Sequence, residues 1–283
     1  MAPELLTTKE MSEADRLTIA SGVSGVVLME AAGRAVAERA AQLARRRGGV
    51  KIEVLCGPGN NGGDGYVAAH ALLEMGFDAE VYAFHEPGAL KGDAAWAAAL
   101  WSRDAPPIDM FDLEHSDVVV DALFGAGLAR DLDGRARELV ERVNAWRRAR
   151  KGAVLSVDVP SGLDGTTGVV RGAAIEADET VTFFRMKPGH LLMPGRILCG
   201  LTTCADIGVK PDVLPHIAPK TFRNVPELWR GRLHAAQIVL AGDTRRVHRV
   251  AAPSVAVPQV DGGAGEGHAG AGGDDPQADR ERD

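Results

Sequence analysis

Short apolar runs alternate with stretches of helical periodicity along most of this chain. The runs, flanked by Gly, Pro or Asp, cover residues 51–56, 79–84, 117–123, 153–157, 179–183 and 200–205. Helical stretches cover residues 66–75, 89–101 and 135–149, and two more helices, separated by a break at residues 21–25, precede the first run. Repeated strand–helix–strand units form parallel sheets covered by helices on both faces. The pattern therefore predicts a doubly wound α/β sandwich, without fixing the order of its strands.

Composition limits the partners that can be expected. The 283 residues carry a formal net charge of −7, and the Arg clusters at 45–47 and 147–148 are interpreted as solvated helix ends, so a nucleic-acid partner is not expected. Cys56, Cys199 and Cys204 form no CxxC pair, which argues against disulfides or zinc and favours a reducing, cytoplasmic setting. No apolar run approaches the roughly 20 residues of a membrane span. The start of the chain lacks the features of a signal peptide.

The chain divides into three parts by its pattern. Residues 1–212 are predicted to form the folded unit, and the proline-spaced residues 213–250 are interpreted as a remnant linker or the start of a truncated second domain. Residues 261–283 contain no aromatic and no large aliphatic side chain, so they cannot bury enough surface to offset the entropy of ordering. We therefore expect a disordered tail over residues 251–283.

The sequence GPGNNGGDG, residues 57–65, follows the first predicted strand. Ligands bind at the carboxyl ends of strands in doubly wound sheets, so this loop is a candidate site. Its glycines would permit positive φ and let backbone N–H groups approach an anion at a helix predicted to begin at Tyr66. The loop matches neither GxGxxG nor GxxxxGK[ST]. A tight strand-to-helix turn without a ligand is the alternative interpretation.

Two further loops carry polar side chains at predicted strand ends. Asp121 follows the run VVV and precedes Gly125 and Gly127, although it could simply cap the next helix. Asp158 and Ser161 lie in DVPSGLDGTTG, where a carboxylate beside a hydroxyl suggests acid–base chemistry or ion binding, since no G-x-S-x-G elbow is present. Together, Asn61, Asp121 and Ser161 offer oxygen ligands suited to a hard cation of low charge density, whereas magnesium would draw on more carboxylates.

One lysine and one histidine follow the fifth apolar run. Lys187 lies in TVTFFRMKPGH, and an isolated lysine is usually a solvated surface charge. His190, in the same motif, is interpreted as structural rather than catalytic.

Ordered motifs over residues 5–209 resemble the NAD(P)H-hydrate epimerase family. They are LLTTKEMSEADR, LMEAAGRAVA, GPGNNGGDG, VVDALFGAGL, VDVPSGLDGTTG, TVTFFRMKPGH and ADIG. The resemblance implies a Rossmann-like three-layer α/β/α fold with a mostly parallel sheet, a homodimer, and one potassium ion per subunit. It also implies nicotinamide-cofactor repair, in which the R and S forms of NADHX and NADPHX, hydrated at the dihydropyridine ring, are interconverted.

The resemblance also implies roles for individual residues. It assigns potassium to Asn61, Asp121 and Ser161, and Ala126 stands where threonine is usual in the family, a change expected to keep the turn. The implied substrate-binding residues are Asn60, Asn61, Gly62, Gly63, Asp64, Gly125, Ala126, Gly127, Leu128, Ala129, Arg130, Asp131 and Asp158.

Epimerisation at the hydrated carbon requires its hydroxyl to leave and return on the other face, or the ring to open and close. Asp158 is hypothesised to provide acid–base catalysis and to favour an iminium-like ring, while Lys187 positions groups or shuttles protons. Asp158 and Lys187 are thus the candidate catalytic residues.

Bacterial members of the family are often fused to an ADP- or ATP-dependent NAD(P)HX dehydratase, which consumes the S epimer. PELWRGRLHAAQ, residues 226–237, resembles the start of that domain, but no Gly-rich nucleotide loop follows, so dehydratase activity is not expected here. We expect functional coupling to a separate dehydratase. The alternative function is a non-catalytic nucleotide-binding or dimerisation module of the same fold. An NAD-dependent dehydrogenase is disfavoured by the missing GxGxxG.

Overall fold

A six-stranded parallel sheet forms the centre of the protein in its computed structural model. The structure describes residues 3–86, 88–128, 130–149 and 152–232. The strands are β1 (Glu4–Leu5), β2 (Lys51–Cys56), β3 (Asp78–Ala83), β4 (Val118–Ala122), β5 (Ala153–Val157), β6 (Glu179–Phe183), β7 (Leu201–Ala205) and β8 (Thr221–Phe222). The helices are α1 (Thr8–Ala20), α2 (Gly25–Arg47), α3 (Asn60–Glu74), α4 (Gly92–Leu100), α5 (Gly134–Arg148), α6 (Gly195–Leu198), α7 (Leu214–Ile217) and α8 (Pro226–Trp229).

The order of strands in the sheet is β3-β2-β4-β5-β6-β7. The chain runs outward from β2 to β3, then returns to place β4 on the other side of β2, so the order reverses between β2 and β4. The register aligns Cys56 with Ala122 and Val157 with Val181, so the carboxyl ends of the central strands lie at one edge of the sheet. Ligands in open parallel sheets bind at such a reversal. The predicted α/β/α sandwich is confirmed.

Alternating strand residues supply the two cores of the sandwich. Val118 and Val120 of β4 pack in a core with α2, α3 and α4, whereas Val119 packs on the opposite face with α5. This period of two follows from the pleat of a strand, and burial on both faces explains why the strands are almost uniformly apolar in sequence.

Local sequence signals determine the ends of the first two helices. Thr7 caps α1 through a reciprocal pair, since its hydroxyl accepts from the Glu10 backbone N–H at 3.3 Å and its own N–H donates to the Glu10 carboxylate at 2.7 Å. Ser24 caps α2 through a single bond, in which its hydroxyl accepts from the Val27 N–H at 3.3 Å, and Gly48 ends that helix at φ 72°. These are the capping box and the left-handed glycine C-cap.

The compact unit that contains the sheet extends beyond the predicted boundary at residue 212. It runs from Met1 to Trp229, and β8 pairs antiparallel with β1 near the amino terminus, with Leu5 opposite Thr221. Residues 213–229 therefore belong with the sheet rather than with a linker. The predicted tail, residues 251–283, lies outside the described residues.

Candidate functional site

A cavity of about 660 Å³ opens at the carboxyl ends of the strands, where the strand order reverses. Its lining comes from α1, the starts of α2, α3 and α4, and the segments that follow β4, β5, β6 and β7. We call it the strand-end cavity. All three loops singled out in the sequence contribute to it, which follows from the parallel arrangement of the strands that precede them.

The first of these loops is shorter than predicted. α3 begins at Asn60, with Gly59 as its N-cap residue, so the expected start at Tyr66 is wrong and Asn60–Asp64 form the first turns of the helix. Gly59 provides no side-chain cap for the first N–H groups of α3, and Gly59, Asn60 and Asn61 line the cavity. An uncapped helix start of this kind is suited to an anionic group.

Gly57, Gly62 and Gly63 of this segment serve close packing and not positive φ, which is a second correction. None of them has a positive φ. A Cβ atom on Gly57 would lie 1.6 Å from the Leu123 carbonyl oxygen, and one on Gly62 would lie 2.0 Å from the Gly57 carbonyl oxygen. Gly63 would meet the Met29 side chain at 2.7 Å. Gly62 and Gly63 therefore let α3 start against the strand ends, while Asn60, Asn61 and Asp64 line the cavity.

Asp121 and Ser161 form a fully buried pair beneath the cavity. The Ser161 hydroxyl donates to Asp121 Oδ1 at 2.5 Å, and the Ser161 backbone N–H donates to Oδ2 at 2.8 Å. Ser156 Oγ donates to the same Oδ2 at 2.8 Å, and the Leu123 N–H approaches Oδ1 at 3.4 Å. Burial raises the pKa of Asp121, partly offset by the hydrogen bonds from Ser161. The carboxylate thus ties together the ends of β4 and β5 instead of capping a helix.

Asn61 lies next to this pair and has an unsatisfied polar atom. Its Oδ1 would be 2.9 Å from a Cβ atom on Gly125, the residue after Phe124, whose N–H donates to Ser161 Oγ at 2.9 Å. Its buried Nδ2 has no hydrogen-bond partner. Rotating the Asn61 amide by 180° would place its carbonyl oxygen at the position of Nδ2. A buried carbonyl oxygen that accepts no hydrogen bond is suited to bind a cation. The three predicted metal ligands are thus gathered in one region.

Asp158 and Lys187 form a buried ion pair that lines the cavity. Lys187 is 2% exposed, and its Nζ lies 2.5 Å from Asp158 Oδ1, so the expectation of a solvated lysine is wrong. Thr182 donates to the same oxygen at 3.0 Å and accepts from Lys187 Nζ at 3.1 Å. Burial alone would raise the pKa of Asp158, but the positive charge and hydrogen bond of Lys187 outweigh it and hold that pKa below its usual value. Asp158 is therefore ionised.

Backbone geometry and His190 fix the direction of Asp158. Asp158 has φ 66°, a left-handed conformation that turns the chain sharply after β5. His190 accepts from the Lys187 backbone N–H through Nδ1 at 2.9 Å, so its proton lies on Nε2, which donates to the Asp158 carbonyl at 2.8 Å. Burial lowers the pKa of His190 to about 4, which keeps the ring neutral. Its structural role, inferred from the sequence, agrees with these contacts.

The second loop borders the cavity over most of its predicted length. Gly125, Ala126, Gly127, Leu128 and Arg130 line the cavity. The Ala126 backbone N–H approaches Asp158 Oδ2 at 3.3 Å, which is a contact that does not depend on the side chain at this position.

Two members of the predicted loop are not placed at the cavity. Asp131 is exposed and is not among the described lining residues. Ala129 lies outside the described residues.

Sequence reasoning missed three residues that shape this region. Thr182 donates a hydrogen bond to Asp158, and Ser156 donates one to Asp121. Asp15 of α1 is half-buried and lines the cavity. Thr182 and Ser156 lie inside strands that appear uniformly buried, so no local pattern distinguishes them. Asp15 could have been found by its position one turn from Met11 and from Ile19, which also line the cavity.

Two more carboxyls give the cavity an unusual balance of charge. Burial raises the pKa of Asp15 to about 6, with a lowering contribution from the Lys187 charge and a raising one from Asp158. Burial raises the pKa of Asp64 well above its usual value, and the negative charges of Asp158 and Asp15 add to that rise. The cavity thus combines one ionised aspartate, paired with lysine, with two carboxyls that retain protons more readily.

An open parallel sheet, a cavity at the strand-order reversal and an uncapped helix start beside it define a Rossmann-like ligand-binding α/β domain. The family model described as YjeF-related protein N-terminus matches residues 25–189. The chain belongs to this family, which includes proteins named NAD(P)H-hydrate epimerase, and the resemblance seen in the sequence motifs is confirmed.

Relatives and a solved structure agree with that placement. The NAD(P)H-hydrate epimerase of Achromobacter xylosoxidans (strain A8) is 38% identical over 215 residues, 73% of this chain and 97% of that protein. The bifunctional NAD(P)H-hydrate repair enzyme Nnr of Thermofilum pendens is 42% identical over 189 residues, 63% of this chain. A crystal structure of the yeast protein ynu0 is similar with a TM-score of 0.64 and 22% identity, covering 78% of this chain and 96% of that one, and it supports the fold.

The bifunctional relatives are much longer than this chain. The match spans 35% of the Thermofilum protein and 48% of the corresponding enzyme of Methanothermobacter thermautotrophicus. The chain therefore covers less than half the length of these curated relatives. Within the described residues, no helix is both long enough and apolar enough to cross a membrane.

Proposed function

We propose that this chain is an NAD(P)H-hydrate epimerase, an isomerase that interconverts the R and S forms of NADHX and NADPHX. The observation that carries the proposal is the ionised Asp158, paired with the buried Lys187 in a strand-end cavity. A relative named for this activity matches the chain over 97% of its own length, which supports the assignment.

The proposed reaction passes through a cationic ring. When the hydroxyl leaves the hydrated carbon, the lone pair of the ring nitrogen forms a C=N⁺ bond, and the flat ring can then be rehydrated on either face. A fixed negative charge in a water-poor cavity stabilises such a cation far more than it would in water. Asp158 is suited to this role because Lys187 keeps it ionised. Of the acid and base roles predicted for Asp158, we therefore propose only the role of base, together with electrostatic stabilisation of the cationic ring.

Lys187 and Thr182 act on the substrate through Asp158. Both hydrogen-bond to the same carboxylate oxygen, Oδ1, which leaves Oδ2 with the weaker contact from the Ala126 N–H at 3.3 Å. Oδ2 is thus the oxygen available to the ring. Lys187 is best described as a positioning residue, since its Nζ is already engaged by Asp158 and Thr182.

The anionic part of the substrate suits the start of α3. Pyrophosphate oxygens would accept from the free N–H groups near Asn60 and Asn61, where the helix dipole favours negative charge. Arg130 lines the same cavity and adds a positive charge. We therefore propose that Asn60, Asn61, Asp64 and the lining residues of the second loop bind the substrate. Gly62 and Gly63 contribute by allowing the close approach of α3.

We further propose that potassium binds near Asn61, Asp121 and Ser161. The unsatisfied Asn61 amide and the single buried carboxylate fit a monovalent cation, which needs several oxygens but little compensating charge. When bound, the ion would supply positive charge beside the substrate's anionic groups. The residues of this chain fix the ends of β4 and β5 and the start of α3 around that position.

Replacing potassium with tetramethylammonium at equal ionic strength is expected to lower the Tm of the protein. A ligand that binds only the folded state adds about 2.7 kcal/mol at a hundredfold excess over its Kd, and each kcal/mol shifts Tm by roughly 2–4 °C in a domain of this size. Asn61→Ala should remove the difference without lowering Tm in tetramethylammonium, because the Nδ2 atom has no partner to lose. Equal Tm values of the unsubstituted protein in both salts would contradict the cation site.

The epimerase proposal is tested by removing the S form enzymatically and measuring whether the R form is consumed as well. A mixture of NADHX epimers is incubated with a separate S-specific dehydratase and ADP or ATP as that enzyme requires, with and without this protein. An epimerase lets the R form disappear along with the S form, whereas the dehydratase alone leaves R behind apart from its slow spontaneous epimerisation. Residual R at the level of the dehydratase-only control would show that the chain is instead a binding module.

The setting of the activity is also proposed from the resemblance. We propose that the protein works as a homodimer in the cytoplasm, and that a dehydratase consumes its S product. Chemical coupling to a dehydratase follows from the reaction, because an isomerase alone only equilibrates the two damaged forms.

A further inference from the structure

One face of α1 forms a wall of the strand-end cavity. Thr8, Met11, Ser12, Asp15 and Ile19 line it, at the spacing of three or four residues that places side chains on one side of a helix. The start of α1 is fixed close to the site. Thr8 Oγ1 donates to the Ala126 carbonyl at 3.2 Å, and the Thr8 N–H donates to Thr166 Oγ1 at 3.1 Å. Asp15 therefore reaches the cavity from a well-anchored element that is separate from the strand ends.

Asp15 differs from the other acidic residues of its helix. Glu10 is engaged in the capping pair with Thr7, and Glu13 pairs with Arg16 at 2.7 Å on the surface. Within the described residues, the Asp15 carboxyl has neither a hydrogen bond nor an ion pair, although it is half-buried. A half-buried carboxyl without a protein partner costs stability, and such groups are commonly kept for a ligand.

The proposed reaction needs a group that Asp158 does not provide. Hydroxide is a poor leaving group, so the departing hydroxyl must receive a proton as the C–O bond breaks. Asp158 is ionised and is held by Lys187 and Thr182, so it carries no proton to give. The Lys187 ammonium donates to Asp158 and to Thr182. Two other carboxyls of the cavity retain protons, and the pKa of Asp15, about 6, lies nearer to a working pH than that of Asp64, which burial raises well above its usual value.

We propose that Asp15 is the general acid of the epimerisation, donating a proton to the departing hydroxyl while Asp158 faces the cationic ring. This inference rests on the proposed function. The Asp15 carboxyl gives its proton to the hydroxyl oxygen, the C–O bond breaks with its electron pair on oxygen, and water leaves. The ring nitrogen lone pair forms C=N⁺. Water then adds to the other face and gives a proton to Asp158, from which the proton passes through water to the Asp15 carboxylate.

The charges around Asp15 suit this role. Asp64, Asp93 and Arg130 share the cavity with Asp15, as do Asp158 and Lys187. On the outer side of α1, α7 and the turn before it contribute Asp212 and His216, both exposed. Burial raises the pKa of Asp15 to about 6, so its acid form is populated below that pH and decreases as the pH rises through it. General acids operate best with pKa values near the working pH.

Asp15→Asn tests the inference through the pH profile of kcat. We expect kcat at pH 6 to fall by about 10²-fold or more, which is the scale of general acid catalysis. In the unsubstituted enzyme kcat should decrease as the pH rises through about 6, and this decrease should be absent in Asp15→Asn. Asp15→Glu keeps an acid and should recover part of kcat with a displaced midpoint. Glu13→Gln, on the same helix but paired with Arg16 at the surface, serves as the matched control and should keep both kcat and profile. Spontaneous epimerisation is subtracted at each pH.

Thermal unfolding gives a second readout that does not depend on activity. A raised carboxyl pKa means that the folded state resists ionisation, so this group's favourable contribution is present below its ordinary pKa of 3.8 and is lost as the pH rises to about 6. Asp15→Asn should therefore raise Tm at pH 7 or above relative to the unsubstituted protein.

The outcomes separate the two proposals. A variant with unchanged kcat and pH profile, in an active enzyme, would overturn the role of Asp15 and leave the epimerase function standing. A lower kcat and a lower Tm at pH 7 in Asp15→Asn, together with an unshifted pH profile in Asp15→Glu, would indicate a structural role. That result would also overturn the proposal that Asp15 is the general acid. An unsubstituted protein without epimerase activity would overturn the proposed function and this inference with it.

Discussion

Asp158→Asn is expected to lower kcat for epimerisation by about 10³-fold or more. The substitution removes the negative charge that stabilises the cationic ring and the base that helps rehydrate it, and each of these contributions is commonly worth about 10²-fold or more. Asparagine is the informative replacement, because it tolerates the left-handed conformation at φ 66° that alanine would not adopt without strain. The measurement is the coupled assay with R-NADHX and an excess of dehydratase.

The same substitution removes the partner of a buried charge. Lys187 would keep its positive charge with only neutral partners, the new amide and Thr182, and breaking one side of a buried ion pair is commonly destabilising by about 3–5 kcal/mol. Folding must therefore be checked by thermal unfolding. The double variant Asp158→Asn/Lys187→Met should recover stability while remaining inactive, which separates catalysis from folding. Asp206→Asn, at the exposed end of β7, is the control with normal turnover. Substantial turnover in a folded Asp158→Asn protein would exclude Asp158 from the mechanism.

Gly57→Ala is expected to lower the free energy of unfolding by about 3 kcal/mol or more, the upper range of overpacking. A Cβ atom would lie 1.6 Å from the Leu123 carbonyl oxygen, and that contact involves backbone that cannot rotate away. The Gly57 N–H donates to the Ala122 carbonyl at 3.0 Å, so relief of the clash would separate the ends of β2 and β4. Urea unfolding measures the loss, and substrate affinity should fall with it.

Gly59→Ala is the matched control two residues away. No atom lies within 4 Å of its Cβ position, and its φ of −124° is accessible to alanine. Its stability should lie within about 1 kcal/mol of the unsubstituted protein, since glycine and alanine differ at an N-cap by only a modest amount. Equal stability of the two variants would contradict the account of this segment as a packing constraint.

The strands were predictable because burial on both faces leaves continuous apolar runs. β2, β5 and β6 have the predicted bounds, β7 begins one residue later than predicted, and β3 and β4 differ from the prediction by one residue at each end. The start of α3 was not predictable in the same way. Asn and Gly are poor helix formers, so NNGGDG appears as a loop, and only the packing of Gly57 and Gly62 against neighbouring backbone shows why a helix with these residues is stable. Tertiary contacts override local propensity there.

The candidate site was predictable where residues follow parallel strands. Asp121 and Ser161 were grouped because both predicted strands end at the same edge of the sheet, and they are in direct contact. Asp15 and the burial of Lys187 could not be inferred in this way. Asp15 lies on a helix before the sheet, next to the similar Glu13, and the partner of Lys187 is 29 residues away in sequence. Both depend on how distant segments meet around the cavity.

The short pairing of β1 with β8 links the two ends of the compact unit. β1 lies directly before α1, the helix that carries Asp15, and the Leu6 N–H donates to the Met186 carbonyl at 3.0 Å, next to Lys187. The strand opposite β1, Thr221–Phe222, lies only a few residues before Trp229, where the unit ends. Displacement of residues 221–222 would therefore disturb the segment directly before the helix that carries the proposed acid. Residues that appear in sequence to be a spacer thus form part of the support of the cavity wall.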